Sequence, residues 1–320
     1  MPLPTGEVIG ILGDNLRWRR SVLPIPKRHV TGWARGLGLP RGGETVLYTG
    51  MMYQLIPYIE GLVRAEKRLG SSWLGDLAWL ARKINRVVNV STFFVYPSAK
   101  ERKRYEQVPI NAALLLQRAG VEFGYAYEAD LYSGALAYDL GLDEVVEKHA
   151  RRVYQALKGV GAKTVITLDP HTTHMVRSVY PKLIPGYDLV VKNYLEVLAD
   201  RLAEVGPNPS AEGGEAAVLH DPCVFARYEG IIEAPRRLLQ AAGVPVKEPE
   251  RSGRMTWCCG GPVESLYPDK AAANARKRMD QLEEVADRVI TMCPLCLVNL
   301  AAVASTGVSV EDISAYLRRD

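Results

Sequence analysis

The sequence predicts an α/β protein built from two similar halves, each a set of parallel βαβ units. Three observations carry that expectation: short β-branched runs alternate with amphipathic helical segments, the pattern restarts near residue 216, and the two halves align with one another. A chain of 320 residues with 48% apolar and 24% charged residues is long enough for such a pair. Its composition is that of a folded globular protein, which excludes disorder, collagen and extended coiled coil as the main architecture.

The start, MPLPTGEVIG, lacks a basic segment followed by an apolar one, and no stretch has the 18 or more consecutive apolar residues of a membrane span. A cytoplasmic location is expected. Residues 1–104 hold 17 Lys and Arg against 7 Asp and Glu, a net +10, whereas the remainder sums to −6. The excess sits in RWRR (17–20), KR (27–28) and KERKR (100–104), either a solvated face or a docking face for an acidic partner. The runs are short and lack interleaved aromatic residues, so nucleic acid is not an expected partner.

An insertion at about 54–107 is expected to contain a helix over 74–88, with Trp73 and Trp79 as core or interface residues. VPINAALLLQRA (108–119) reads as a helix opened by Pro109 and closed by Gly120. VEFGYAY gives a short strand, and residues 143–158 give a helix whose apolar positions recur at 3.6-residue spacing behind Asp143 and Glu144. KTVITL (163–168) is a buried strand bounded by Gly161 and Pro170. Asp169 then reads as a helix N-cap, with His171 and His174 as polar residues of the first turn, and a residual metal site at Asp-Pro-His-x-x-His is the alternative. GPNPSAEGGE (206–215) is a linker, separating a first domain, 1–205, from a second, 216–320.

The halves align at four places. INAALLLQRAGVEF (110–123) matches EAPRRLLQAAGVPV (233–246), KTVITLDPHTTHMV (163–176) matches DRVITMCPLCLVNL (287–300), LYTGM (47–51) matches LHDPC (219–223), and LYSGALAYDLG (131–141) matches WCCGGPVESLYP (257–268). All five cysteines lie in the second half. Opposite them the first half has Met51 for Cys223, Tyr132 and Ser133 for Cys258 and Cys259, Asp169 for Cys293 and Thr172 for Cys296. Met51, Tyr132 and Ser133 are therefore expected at the rim of an equivalent site, where they would line a channel. An odd number of cysteines confined to one half fits metal or redox chemistry better than a disulfide framework.

The pattern is C-x34-C-C-x33-C-x2-C, with Gly260 and Gly261 after the adjacent pair. CPLC leaves a strand and opens a helix with Pro294 at its first position, so two sulfurs sit where unpaired N–H groups favour thiolates. Adjacent cysteines diverge and accommodate a multinuclear centre more naturally than one ion. Zinc held by four of the five, as in a structural binding protein, and metal-free thiol chemistry are the alternatives. The glycines remove bulk where backbone approaches such a centre, and their N–H groups can donate to sulfur. His220 reads as a packed strand-end histidine or a donor to sulfur, and Arg227 and Tyr228 as helix-entry surface or the lining of a mouth. No glycine-rich nucleotide motif is present.

This lone Cys, CC-G and CxxC arrangement resembles the CCG domain of the heterodisulfide reductase B-subunit family. That family also includes iron-sulfur subunits of glycerol-3-phosphate, lactate and glycolate oxidation systems. The resemblance covers most of the chain and implies two pseudo-symmetric, Rossmann-like CCG-type domains, the first degenerate. It implies a noncubane 4Fe-4S cluster on Cys223, Cys258, Cys259, Cys293 and Cys296, passing electrons to a small-molecule or protein-bound thiol or disulfide. The motif C-x2-C-x2-C-x3-C-P of fused family members is missing, so the implied partners are a ferredoxin-like subunit and a flavoprotein subunit. A pure electron-transfer subunit of a dehydrogenase complex is the alternative function.

Overall fold

In a computed structural model, residues 5–69, 97–202, 216–261, 264 and 266–318 are described. The expected helix at 74–88, Trp73, Trp79 and the expected linker at 206–215 lie outside them. Two four-stranded, all-parallel sheets make an α/β fold of two Rossmann-like units. The first contains β1 (Thr45–Tyr48), β2 (Gly124–Tyr125), β3 (Thr164–Thr167) and β4 (Val190–Asn193), in the order β2-β1-β3-β4. The second contains β5 (Ala217–Leu219), β6 (Val246–Lys247), β7 (Arg288–Thr291) and β8 (Ser309–Asp312), in the order β6-β5-β7-β8.

The registers reproduce the internal repeat. Val46 pairs with Gly124 and Val165, and its counterpart Val218 pairs with Lys247 and Val289. The central strands are fully buried at Val46, Leu47, Val165, Val218, Leu219 and Val289, as strands covered on both faces must be.

Around the sheets lie α1 (Thr5–Arg19), α2 (Met52–Leu69), α3 (Ala99–Arg118), α4 (Asp143–Gly159), α5 (Pro170–His174), α6 (Glu233–Ala241), α7 (Pro268–Glu283) and α8 (Pro294–Ala301), with shorter helical turns between them. One expectation needs correction: α3 starts at Ala99, not at 108, so Pro109 lies inside it. A capping box sets the true start. Ser98 Oγ accepts from the Glu101 N–H while the Glu101 carboxylate accepts from the Ser98 N–H, satisfying two otherwise orphaned donors.

The halves share an apolar core. Leu47, Tyr125, Ile166 and Leu195 from the first pack in one cluster with Leu219, Leu238, Ile290 and Ile313 from the second. Polar ties reinforce the seam: the Tyr53 hydroxyl donates to Asp312 at 2.6 Å, and the buried Glu229 carboxylate pairs with His174 at 2.7 Å and accepts from Ser178 at 2.8 Å. Among the described residues no helix is long and apolar enough to cross a membrane.

Candidate metal centre

Three adjacent strand ends of the second sheet deliver the five cysteines. Cys223 follows β5, Cys258 and Cys259 follow β6, and Cys293 and Cys296 follow β7. Chain order reverses between β5 and β7, which opens a crevice at the carboxyl ends of the strands, the usual location of a site in such sheets.

Cys293 is the N-cap of α8 and Pro294 its first residue, as expected. Asp169 and Pro170 repeat that geometry at α5, where the Asp169 carboxylate accepts from the Thr172 N–H at 2.9 Å. The CCG turn depends on Gly260, at φ +83, whose N–H points at Cys258 Sγ at 3.3 Å. A Cβ there would lie 2.7 Å from the Ala271 carbonyl oxygen. Gly261 faces the site, since a Cβ on it would sit 3.6 Å from Cys259 Sγ. Asp221 ties the Cys223 turn to the CCG loop: its carboxylate takes both terminal nitrogens of Arg236 at 2.8 Å and the Gly253 N–H at 2.7 Å, and its carbonyl accepts from Thr256 Oγ1 at 2.9 Å.

Cys223 Sγ lies 3.9 Å from Cys258 Sγ, and all five thiols are free of disulfides. Hydrogen bonds from Cys223 and Cys259 push Cys258 toward the thiolate. Burial opposes ionisation of Cys293, yet hydrogen bonds from Cys296 and His171 hold it well below the usual thiol range. The donating thiols Cys223, Cys259 and Cys296 are pushed up in turn. Cys259, Cys293 and Cys296 are buried, whereas Cys223 and Cys258 are partly exposed and form the open edge.

His220 and Arg278 test whether a sulfur-rich group fits. The side chain of Arg278 is fully buried and donates from Nε to His220 Nδ1 at 3.0 Å, which leaves the imidazole proton on Nε2. A ring nitrogen of His220 groups with Cys259 Sγ and Cys296 Sγ, all within 4.8 Å of one another. His220 Nε2 and Arg278 Nη2 are both buried without a partner. Unpaired buried donors are costly, and acceptors such as thiolates or inorganic sulfide satisfy them. Burial, and then the nearby Arg278 charge, push His220 down to about 3, so it stays neutral. The residues fit the group.

Two sequence readings change here. Met51, Tyr132 and Ser133 are 6%, 1% and 0% exposed, so they line no channel. The equivalent position in the first half is filled: Asp130 accepts from the Thr49 and Gly50 N–H groups, from Thr49 Oγ1 and from the Tyr125 hydroxyl. His171, read as an ordinary first-turn residue, is buried, with its Nδ1 3.8 Å from the Asp139 carboxylate. Arg227 donates to the Thr256 and Arg254 carbonyls, and Tyr228 is exposed with its ring 5.2 Å from that of His174.

Residues 217–301 match the model of the cysteine-rich CCG domain. The chain is similar to the "EtfAB:quinone oxidoreductase" of Syntrophomonas wolfei, at 27% identity over 78% of this chain and 38% of that protein. It is also similar to the "Probable iron-sulfur-binding oxidoreductase FadF" of Bacillus subtilis, at 27% over 70% of this chain and 32% of that one. A third relative, one of the subunits of the dihydromethanophenazine:CoB–CoM heterodisulfide reductase of Methanosarcina barkeri, is 30% identical over 62% of this chain and 51% of its own length. The chain thus spans between about a third and a half of these curated relatives, which are oxidoreductases or their subunits.

Proposed function

The chain carries, in residues 217–301, a domain of the cysteine-rich CCG family, and from that premise we propose that it is the iron-sulfur unit of a heterodisulfide reductase-like complex. In this reading Cys223, Cys258, Cys259, Cys293 and Cys296 hold a noncubane 4Fe-4S cluster, and electrons pass to a thiol or disulfide substrate. The observation that carries it is the convergence of five thiols from three strand ends on a site whose other buried donors, His220 Nε2 and Arg278 Nη2, lack partners. A single zinc ion takes four tetrahedral ligands, leaving one of these cysteines without a task.

Bound there, such a cluster supplies one-electron transfer at a potential set by hydrogen bonds to sulfur and by solvent exposure. The chain's own residues supply the rest. The Gly260 N–H donates to Cys258 Sγ, Arg278 fixes the imidazole tautomer so that the unpartnered His220 Nε2–H is left to donate to a sulfur of the bound group, and Asp221 holds two of the ligand loops together. The partly exposed edge at Cys223 and Cys258 is where a substrate sulfur or an electron partner approaches. The relative named as a heterodisulfide reductase component supports a disulfide substrate. Electrons would come from a ferredoxin-like subunit, with a flavoprotein further along the complex.

A second reading, electron relay without a substrate site, draws on the relatives named EtfAB:quinone oxidoreductase and FadF. Mixing the anaerobically reduced protein with a small organic disulfide separates the two. Disulfide reduction consumes two electrons and two protons and yields two thiols. Reoxidation of the protein with one pair of thiols released per two electrons supports the first reading. Reoxidation by a dye acceptor but not by the disulfide overturns it in favour of the relay.

A further inference from the structure

The outer edge of the first sheet carries a cavity of about 300 Å³. One wall is a helical run, Lys27–Thr31 followed by Gly32–Ala34. Its inner face sends Val30 and Trp33 into the core, while Arg28, Thr31, Gly32 and Arg35 line the cavity at positions i, i+3, i+4 and i+7 of one helical stripe. The chain then turns through Gly36 and Gly38, at φ +84 and +65, where a Cβ would meet nothing within 4 Å. Backbone conformation, not crowding, calls for glycine at both.

The far wall is held in place. Residues 40–42 run along the edge strand β2, where the Tyr125 N–H donates to the Pro40 carbonyl at 2.8 Å and the Gly42 N–H to the Tyr125 carbonyl at 3.0 Å. The Tyr127 hydroxyl donates to the Leu39 carbonyl at 3.0 Å, Arg41 lies over the Tyr127 ring at 4.6 Å, and its guanidinium pairs with Glu128. The charge of Arg41 is thus met. Arg28 gives only Nε, to the His29 ring at 3.3 Å, and Arg35 pairs with nothing among the described residues. Three guanidiniums against one carboxylate leave the lining positive, with the terminal nitrogens of Arg28 and Arg35 uncommitted.

We propose that this cavity binds a small phosphate-bearing molecule, its phosphate held between Arg28 and Arg35 and its body against the Tyr127 wall. Each guanidinium matches an edge of two oxygens. A carboxylate has one such edge and one charge, and a single arginine satisfies it. A phosphate, with three terminal oxygens and a charge of about −1.5 to −2 at neutral pH, takes both. The volume lies at the small end of the range for ligand sites, about 300–1,000 Å³, which suits a phosphorylated metabolite better than a dinucleotide. The cavity shares no lining residue with the metal centre, so the inference stands apart from the iron-sulfur reading and gives the cysteine-free half a ligand of its own.

Titration calorimetry of the full chain at low salt tests this, with inorganic pyrophosphate and phenyl phosphate as probes and succinate as a carboxylate of similar charge. Both phosphorylated probes should bind at one per chain and more tightly than succinate. Arg28→Ala and Arg35→Ala should each weaken binding at least about tenfold, the loss expected for a charged hydrogen bond. Arg35→Lys, which keeps the charge and removes the fork, should fall in between and carries the test should Arg35→Ala fail to fold. Lys247→Ala, an exposed position of the second half, should bind as wild type does. Binding that weakens equally in Lys247→Ala, or that no arginine variant changes, is diffuse attraction to a basic surface and overturns the proposal. So does a wild-type protein that binds neither phosphorylated probe, and so does succinate bound as tightly as they are.

Discussion

Gly260 and Gly134 occupy equivalent turns and share a left-handed backbone, at φ +83 and +85. Their surroundings differ. A Cβ on Gly260 meets the Ala271 carbonyl at 2.7 Å, whereas one on Gly134 finds only side-chain atoms, at 3.5 Å and beyond. Gly134→Ala should therefore cost little more than the αL penalty of about 1–2 kcal/mol, and Gly260→Ala should cost clearly more and impair iron uptake. Denaturant unfolding of both variants checks this; equal losses would contradict it. His149 gives a prediction in pH. Burial pushes its imidazole down to about 4, so between pH 6.5 and 4 the unfolded chain binds a proton that the folded chain does not. Folding therefore loses stability as pH falls through that window, by up to about 3 kcal/mol for this group. His149→Gln should flatten that part of the stability curve; an unchanged slope would contradict the assignment. At this scale the sequence disclosed the cysteines and the Asp169 cap, because their chemistry is local. It did not disclose the burial of His171 beside Asp139, nor Arg278, whose burial against His220 no helical periodicity marks.

Among the elements, strands and repeat registers were legible because β-branched runs bounded by glycine and proline repeat at matching positions. The start of α3 was misread for a physical reason: Pro109 looks like a first-turn residue, but the Ser98–Glu101 capping box starts the helix earlier. That signal, Ser-x-x-Glu ahead of a helical run, was present in the sequence. Ser98→Ala should remove one side of the box and cost about 1 kcal/mol, read as a lower denaturant midpoint with an unchanged slope. The effect should extend to the metal site, because Tyr105 of α3 packs in the same apolar cluster as Cys259, Cys293 and Cys296. A variant as stable as wild type would contradict the assigned cap.

For the whole molecule, the charge asymmetry gains a location. Lys100, Lys103 and Arg104 are exposed on the first turns of α3, next to Tyr105 and therefore beside the cysteine-bearing core. An acidic electron donor attracted to that end would be steered toward the centre. Reversing Lys100, Arg102, Lys103 and Arg104 together should slow electron transfer from an acidic ferredoxin-type donor. The deficit should fade as salt shortens the Debye length from about 30 Å at 0.01 M to about 8 Å at 0.15 M. If neither the rate nor its salt dependence changes, the run is only a solvated face. The central claim concerns one multinuclear centre in the second half, and the metal content of anaerobically purified protein tests it most directly. The account predicts a brown protein with about four irons per chain, falling to near zero in Cys293→Ser and Cys296→Ser. A colourless protein with one zinc per chain, or iron retained in both serine variants, would contradict it.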